Sequence, residues 1–147
     1  MSKVNQPRPN PKPATDKPGE AHHHRRFPRQ EARIRQVFEL ATDAPLPKVS
    51  EHTLERYHAY LGEQLSLPFE AMYCQNGGEM RQLIHYVRVL ELTDPKEIRQ
   101  SRLHGLYCKI ESTRQALHVP LSELGVREEN PNRELLDDYS YWFVNWR

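Results

Sequence analysis

Between Gln30 and Ala41 the apolar residues Ile34, Val37, Phe38 and Ala41 recur at the i, i+3, i+4, i+7 spacing of one helical face. Asp43-Ala44-Pro45 ends that pattern, and Ser50 followed by Glu51 supplies an N-cap and an acidic first turn. The stretch EHTLERYHAYLGEQL then carries Leu54, Tyr57, Leu61 and Leu65 on one face, which predicts a second helix. Pro68 forces Leu67 out of helical geometry, and from Phe69 the apolar period shortens. Phe69–Gln75 reads as a strand, Asn76-Gly77-Gly78 as a turn, and Met80–Leu92 as the longest strand. Within that strand Leu83, His85, Val87 and Val89 face one way, and Ile84, Tyr86, Arg88 and Leu90 the other.

A polar loop from Asp94-Pro95 leads to a third strand, Leu103–Glu111, in which Gly105 marks a bulge or a close backbone approach. The stretch Thr113–Leu124 holds a fourth strand, ended by the Pro120 step. Asn130-Pro131 then fits an N-cap followed by proline at the first helical position. Leu135, Tyr139, Trp142 and Trp146 share one face of the closing helix, with Leu136 and Phe143 beside it. The order predicts an α+β fold: N-terminal helices, a small bent antiparallel sheet or SH3-like barrel, and a C-terminal helix.

Composition changes the picture at the N-terminal end. Residues 1–28 are rich in proline and Lys/Arg, with Val4 and Phe27 their only large apolar residues after Met1. Such a segment buries too little apolar surface to offset its ordering entropy, so a disordered basic tail is expected at 1–28 and a single α+β domain at 29–147. The net charge of +1 conceals a division. Residues 1–36 hold nine Lys/Arg against three Asp/Glu, leaving twelve against seventeen in the remainder. A basic tail is a candidate contact for nucleic acid or an acidic protein partner, and equally a plain solubilising spacer. His22-His23-His24 offers imidazoles without fixed geometry, and no Cys or second His pair lies near to close a metal site. Cys74 and Cys108 stand far apart with no CxxC spacing, which fits reduced thiols in a cytoplasmic protein. No apolar run approaches membrane-spanning length, so no membrane partner is expected; the oligomeric state has no sequence signature.

Known enzyme signatures are missing: there is no Gly-rich phosphate loop, no GxSxG elbow and no HExxH, so no catalytic role is expected. Acids do gather in two loops. ELTDPKE carries Glu91, Asp94 and Glu97, and REENPNRELLDD carries Glu128, Glu129, Glu134, Asp137 and Asp138 with Asn130 and Asn132. A hard cation such as calcium takes six to eight oxygen ligands, and acid and amide side chains at a loop-to-helix junction are of that type. No D-x-D-x-D-G spacing is present, and composition alone equally describes a solvated surface or an acidic helix N-terminus.

Three phrases occur in a telling order: YHAYLGEQLSLPFEA with Leu67-Pro68-Phe69-Glu70-Ala71, VPLSELGV over Pro120–Val126, and NPNRELLDDYSYWFVNWR with Asp138–Asn145. Together they resemble the small bacterial calcium-binding protein family known from cyanobacteria. The resemblance implies a compact α+β protein that binds calcium without an EF-hand. On that basis Asp94, Glu97, Glu128, Glu129, Asp137 and Asp138 are the expected metal ligands, and a nucleic-acid- or protein-binding module using the barrel and the basic tail is the alternative. Glu70 alternates with Phe69 along the first strand, so it points to the solvated side, as a further ligand or, in the favoured structural role, as a partner for a basic side chain such as Arg88.

Overall fold

The computed structural model describes residues 27–77, 81–98, 101–111 and 117–147. The basic segment up to Arg26, the His22–His24 run and Gly78 of the expected turn lie outside the described residues.

Helix α1 spans Pro28–Val37 and opens on a proline, whose missing N–H is no loss in a first turn. It stops sooner than the apolar spacing predicts. Leu40 N–H donates to Arg35 O (2.9 Å) and Glu39 N–H to Gln36 O (3.2 Å), with Glu39 at φ 54°. This is the Schellman pattern, with glutamate where glycine is usual. Phe38 still packs against Tyr57 and Trp142, whereas Ala41 is exposed. Helix α2, Glu51–Gln64, begins at Ser50 as expected. Thr53 N–H donates to Ser50 Oγ (3.1 Å) and Ser50 N–H to Thr53 Oγ1 (2.8 Å), a reciprocal capping box. Leu54, Tyr57 and Leu61 are its buried apolar face.

Past the cis Leu67–Pro68 peptide, strand β1 (Phe69–Gly77) pairs antiparallel with β2 (Arg81–Leu92), in register from Phe69↔Val89 to Gly77↔Arg81. Strand β3 (Tyr107–Ile110) is shorter than the apolar pattern suggests, and β4 (Leu117–Pro120) ends at Pro120 as expected, with residues 113–116 of the expected fourth strand outside the described residues. Residues 101–105 form a turn closed by a Ser101–Gly105 bridge, and a 3-10 turn at Leu121–Glu123 follows Pro120. Strand β5 is only Leu124–Gly125 and pairs with β1.

The sheet order is β4-β3-β2-β1-β5. Four inter-strand steps of a flat sheet cover about 19 Å, but the chain from Pro120 to Leu124 reaches at most about 14 Å. The sheet therefore curls into a half-barrel, which brings its two edges together. The expected bent antiparallel sheet in an α+β fold is what forms.

Helix α3 (Arg133–Asn145) starts two residues later than Pro131 predicts. Its N-cap residue Asn132 is buried and turns its amide elsewhere: Ser66 N–H donates to Oδ1 (2.8 Å) and Nδ2 donates to Ser66 O (2.9 Å). That bracket ties the start of α3 to the end of α2. Leu136, Tyr139, Trp142 and Phe143 are buried in one core with Ile34, Tyr57, Phe69, Val89, Cys108 and Leu121. Trp142 Nε1 donates to Pro47 O (2.8 Å), and Tyr139 Oη accepts from Leu106 N–H (2.8 Å). Buried polar atoms of the aromatic helix are thereby satisfied.

Gly105 lies at φ 69°, against the Tyr139 hydroxyl and the Phe143 ring, so a Cβ there meets both strain and a clash. Gly105→Ala is expected to lower stability by more than about 1 kcal/mol, measured by urea unfolding; an unchanged midpoint contradicts the packing described. Burial also pushes the Cys108 thiol up to about 12 from an ordinary 9.0, and pushes the Tyr57 and Tyr139 phenols above their ordinary 10.0. The unfolded chain thus releases these protons first as pH rises. Stability is full below about pH 8.5 and falls as pH climbs through 9 toward 12. Thermal melts across that range, compared with Cys108→Ala, read the effect.

Candidate functional site

The six acids expected as ligands fall into three environments. Asp137 and Asp138 adjoin in sequence, but successive helical residues point about 100° apart. Asp137 is exposed and pairs with Arg133 one turn back (3.1 Å). Asp138 faces inward, where Arg33 Nε (2.7 Å) and Nη2 (2.9 Å) donate to its two oxygens. Its side chain is 7% exposed. The hydrogen bond to Asp138 raises the Arg33 guanidinium above its ordinary value, outweighing burial. Asp138 therefore fastens α3 to α1 and has no oxygen facing the loop.

Asp94 and Glu97 follow β2. Asp94 Oδ1 accepts from Lys96 N–H (2.8 Å) within a turn. Glu97 Oε2 lies 3.8 Å from Lys109 Nζ and 3.4 Å from His118 Nε2, and Lys109 Nζ donates to Glu91 Oε1 at 2.9 Å. That hydrogen bond to Glu91 is the main reason the Lys109 ammonium is raised above its ordinary value. Here a tethered ammonium sits between two carboxylates, in the place a free cation would take. His118 Nδ1 also contacts Thr93 Oγ1 (2.8 Å), which completes a structural network at this corner.

Glu128 and Glu129 occupy the turn between β5 and α3, and both are exposed. The turn is held by Asn130 N–H to Arg127 O (3.0 Å), by Arg133 N–H to Asn130 O (3.0 Å), and by Asn132 N–H to Asn130 Oδ1 (2.8 Å). Asn130 Nδ2 reaches across to Glu70 O at 3.4 Å, which joins the turn to β1. Glu129 and Asn130, with Glu70, Met72, Tyr86 and Arg127, line a hollow of about 390 Å³ on the outer side of the sheet. No ion pair among the described residues engages Glu70, Glu128 or Glu129. Glu70 lies opposite Arg88 in register, yet the expected pair does not form.

Three of the acids are thus left free near one hollow, but only two of these, Glu128 and Glu129, belong to the expected set. Glu70 joins them because β1 pairs with the two-residue β5, a contact across more than 50 positions with no local signal in the sequence. Among the described residues no three His, Cys, Asp or Glu side chains are gathered as a ready-made metal cage. No helix there is long and apolar enough to cross a membrane.

The architecture is that of a small α+β protein: a curled half-barrel closed by an aromatic helix, with its unpaired carboxylates where the last strand feeds that helix. The chain belongs to the CcbP calcium-binding family, whose profile, described as calcium binding, matches residues 38–143. Two solved structures share the fold: the crystal structure of Anabaena CcbP, and a calcium-binding protein in its calcium-binding form. Each is 19% identical at a TM-score of 0.59, over 81% of this chain and 92% of the other. No match was found among curated proteins.

Asp138→Asn leaves the half-buried Arg33 guanidinium with only the exposed Glu134 (3.4 Å) as counter-charge and is expected to cost about 2 kcal/mol. The paired change Arg33→Met with Asp138→Leu should recover most of that loss, because both charges then go together. Chemical denaturation of the two variants and the wild type reads the difference. A single variant as stable as the wild type would remove the clamp from the account.

Proposed function

We propose that the chain binds calcium, without an EF-hand, at the junction of β1, β5 and the turn before α3. Glu70 and Glu129 are the principal carboxylates, with Glu128 and the Asn130 side chain beside them. The observation that carries this reading is that these carboxylates have no ion-pair partner, in a chain whose family is one of calcium binders. The other expected ligands have other work. Asp137 and Asp138 pair with arginines, Glu97 lies beside Lys109 and His118, and Asp94 closes a turn.

Calcium takes six to eight oxygens and tolerates irregular geometry. The hollow offers two carboxylates and one amide, so main-chain carbonyls and water must supply the remaining ligands. Arg127 lines the same hollow and opposes a cation. Both features argue for weak affinity, on the order of 10⁻⁴–10⁻³ M. The binding is non-catalytic in this reading: the buried Cys108 thiol is held unreactive by its raised pKa. A free buried thiol also accords with a reducing, cytoplasmic location. Nucleic acid is the weaker alternative, since carboxylates around the hollow repel phosphates.

Titration calorimetry with calcium, and thermal melts with and without it, test the reading on the full chain. Glu70→Gln and Glu129→Gln should each weaken binding several-fold. Asp138→Asn should lower the melting temperature and leave the affinity for calcium unchanged. Absence of both heat and thermal shift at millimolar calcium would sink the proposal.

A further inference from the structure

The hollow on the outer side of the sheet is unusual in pairing unpartnered carboxylates with exposed apolar groups. Tyr86 is 74% exposed, and Met72 and Val126 lie half-buried beside it. An aromatic surface flanked by carboxylates fits a proline-rich basic segment: proline rings pack on the aromatic face, and basic side chains reach the acids. The chain itself contains such a segment. Pro7, Pro9, Pro11 and Pro13 alternate with Arg8, Asn10 and Lys12, and residues 1–26 hold six Lys/Arg against two Asp/Glu.

The surface also leads there from where the described chain begins. Phe27 lines one hollow together with Gln30, Arg33 and Asp137. Those last three residues also line a second hollow, with Glu128 and Asn130, and Asn130 in turn borders the hollow at Tyr86. Three carboxylates along this track lack ion-pair partners among the described residues, Glu70, Glu128 and Glu129, against two such cations, Arg29 at its start and Arg127 at the hollow itself. An extended proline-rich chain advances about 3.1 Å per residue, so the stretch between Pro13 and Phe27 can reach about 40 Å.

We propose that the segment Pro7–Pro13 docks in its own molecule on the hollow formed by Tyr86, Met72, Glu70 and Glu129, following the track from Phe27. Arg8 and Lys12 face the carboxylates and the prolines cover Tyr86. This goes beyond calcium binding and stands without it. Its consequence for calcium rests on the reading above, since docked Arg8 and Lys12 neutralise the same carboxylates. The test is therefore made in EDTA, where a failure of docking and a failure of calcium binding are distinguishable.

The experiment is paramagnetic relaxation enhancement on the full ¹⁵N-labelled chain, with a nitroxide on Ala14→Cys and Cys74→Ser. The buried Cys108 stays unlabelled. Amide signals of Tyr86, Gly125 and Glu129 should lose at least half their intensity, and regain it in the same chain carrying R8E and K12E. Unchanged intensities at those amides overturn the proposal. So does broadening that survives the charge reversal. Broadening seen only when spin-labelled unlabelled-isotope chains are mixed with ¹⁵N chains assigns the occupant to a second copy, and overturns docking within one molecule.

Discussion

Three residues, Leu121–Glu123, carry the chain from one edge of the sheet to the other. A connection that short is incompatible with a flat five-stranded sheet, so the sheet closes on itself until β4 and β5 come near each other. The crossover is also anchored. Leu121 N–H donates to Leu106 O (2.8 Å), while Leu106 N–H donates to Tyr139 Oη (2.8 Å). One residue thus links the edge of the half-barrel to the helix that fills its interior. The close approach at Gly105 follows, because the backbone must pass directly beside the Tyr139 hydroxyl for that bond to form.

From this constraint the location of the hollow follows. β5 is two residues long and pairs with β1, so the chain leaves the sheet beside Met72 and must reverse into α3 within a short turn. That turn is fixed on both sides: Asn132 brackets Ser66, and Asn130 Nδ2 reaches Glu70 O. Arg33 and Asp138 then hold the first turns of α3 to α1. Glu128 and Glu129 project from a rigidly mounted turn, which favours a binding role over a loose loop.

The helices were legible because their signals are local. Ser50 capping, the Leu54-Tyr57-Leu61 face and the aromatic spacing of α3 are readable within a few residues. The early end of α1 was not, because Glu39 occupies a left-handed position that glycine usually announces. The short β3 was over-extended for a different reason: Leu103 continues the apolar pattern, but it is 74% exposed in a turn. The acids show the limit most clearly. Sequence places Asp137 and Asp138 together and Glu70 far from Glu129, whereas the fold separates the first pair and joins the second. Burial of Asp138 against Arg33, and the pairing of β1 with β5, are contacts across about a hundred and about fifty positions.

The charge balance explains why a member of a calcium-binding family can carry so little net acidity. Among the described residues, the other places where expected ligand acids gather contain their own cation: Arg33 for Asp138, Arg133 for Asp137, Lys109 for Glu91 and Glu97. A tethered ammonium or guanidinium gains the Coulomb attraction of a bound ion without losing an ion from solution, so it competes with a free cation at each of these corners. The hollow at Tyr86 is the exception, with two unpartnered carboxylates facing one arginine. Its excess negative charge is local, and local excess rather than net charge attracts a cation at physiological ionic strength, because screening confines the field to about 8 Å. The same reasoning applies to any cationic partner, whether a calcium ion or a lysine: whichever reaches within that distance first in concentration and orientation neutralises the site and excludes the other.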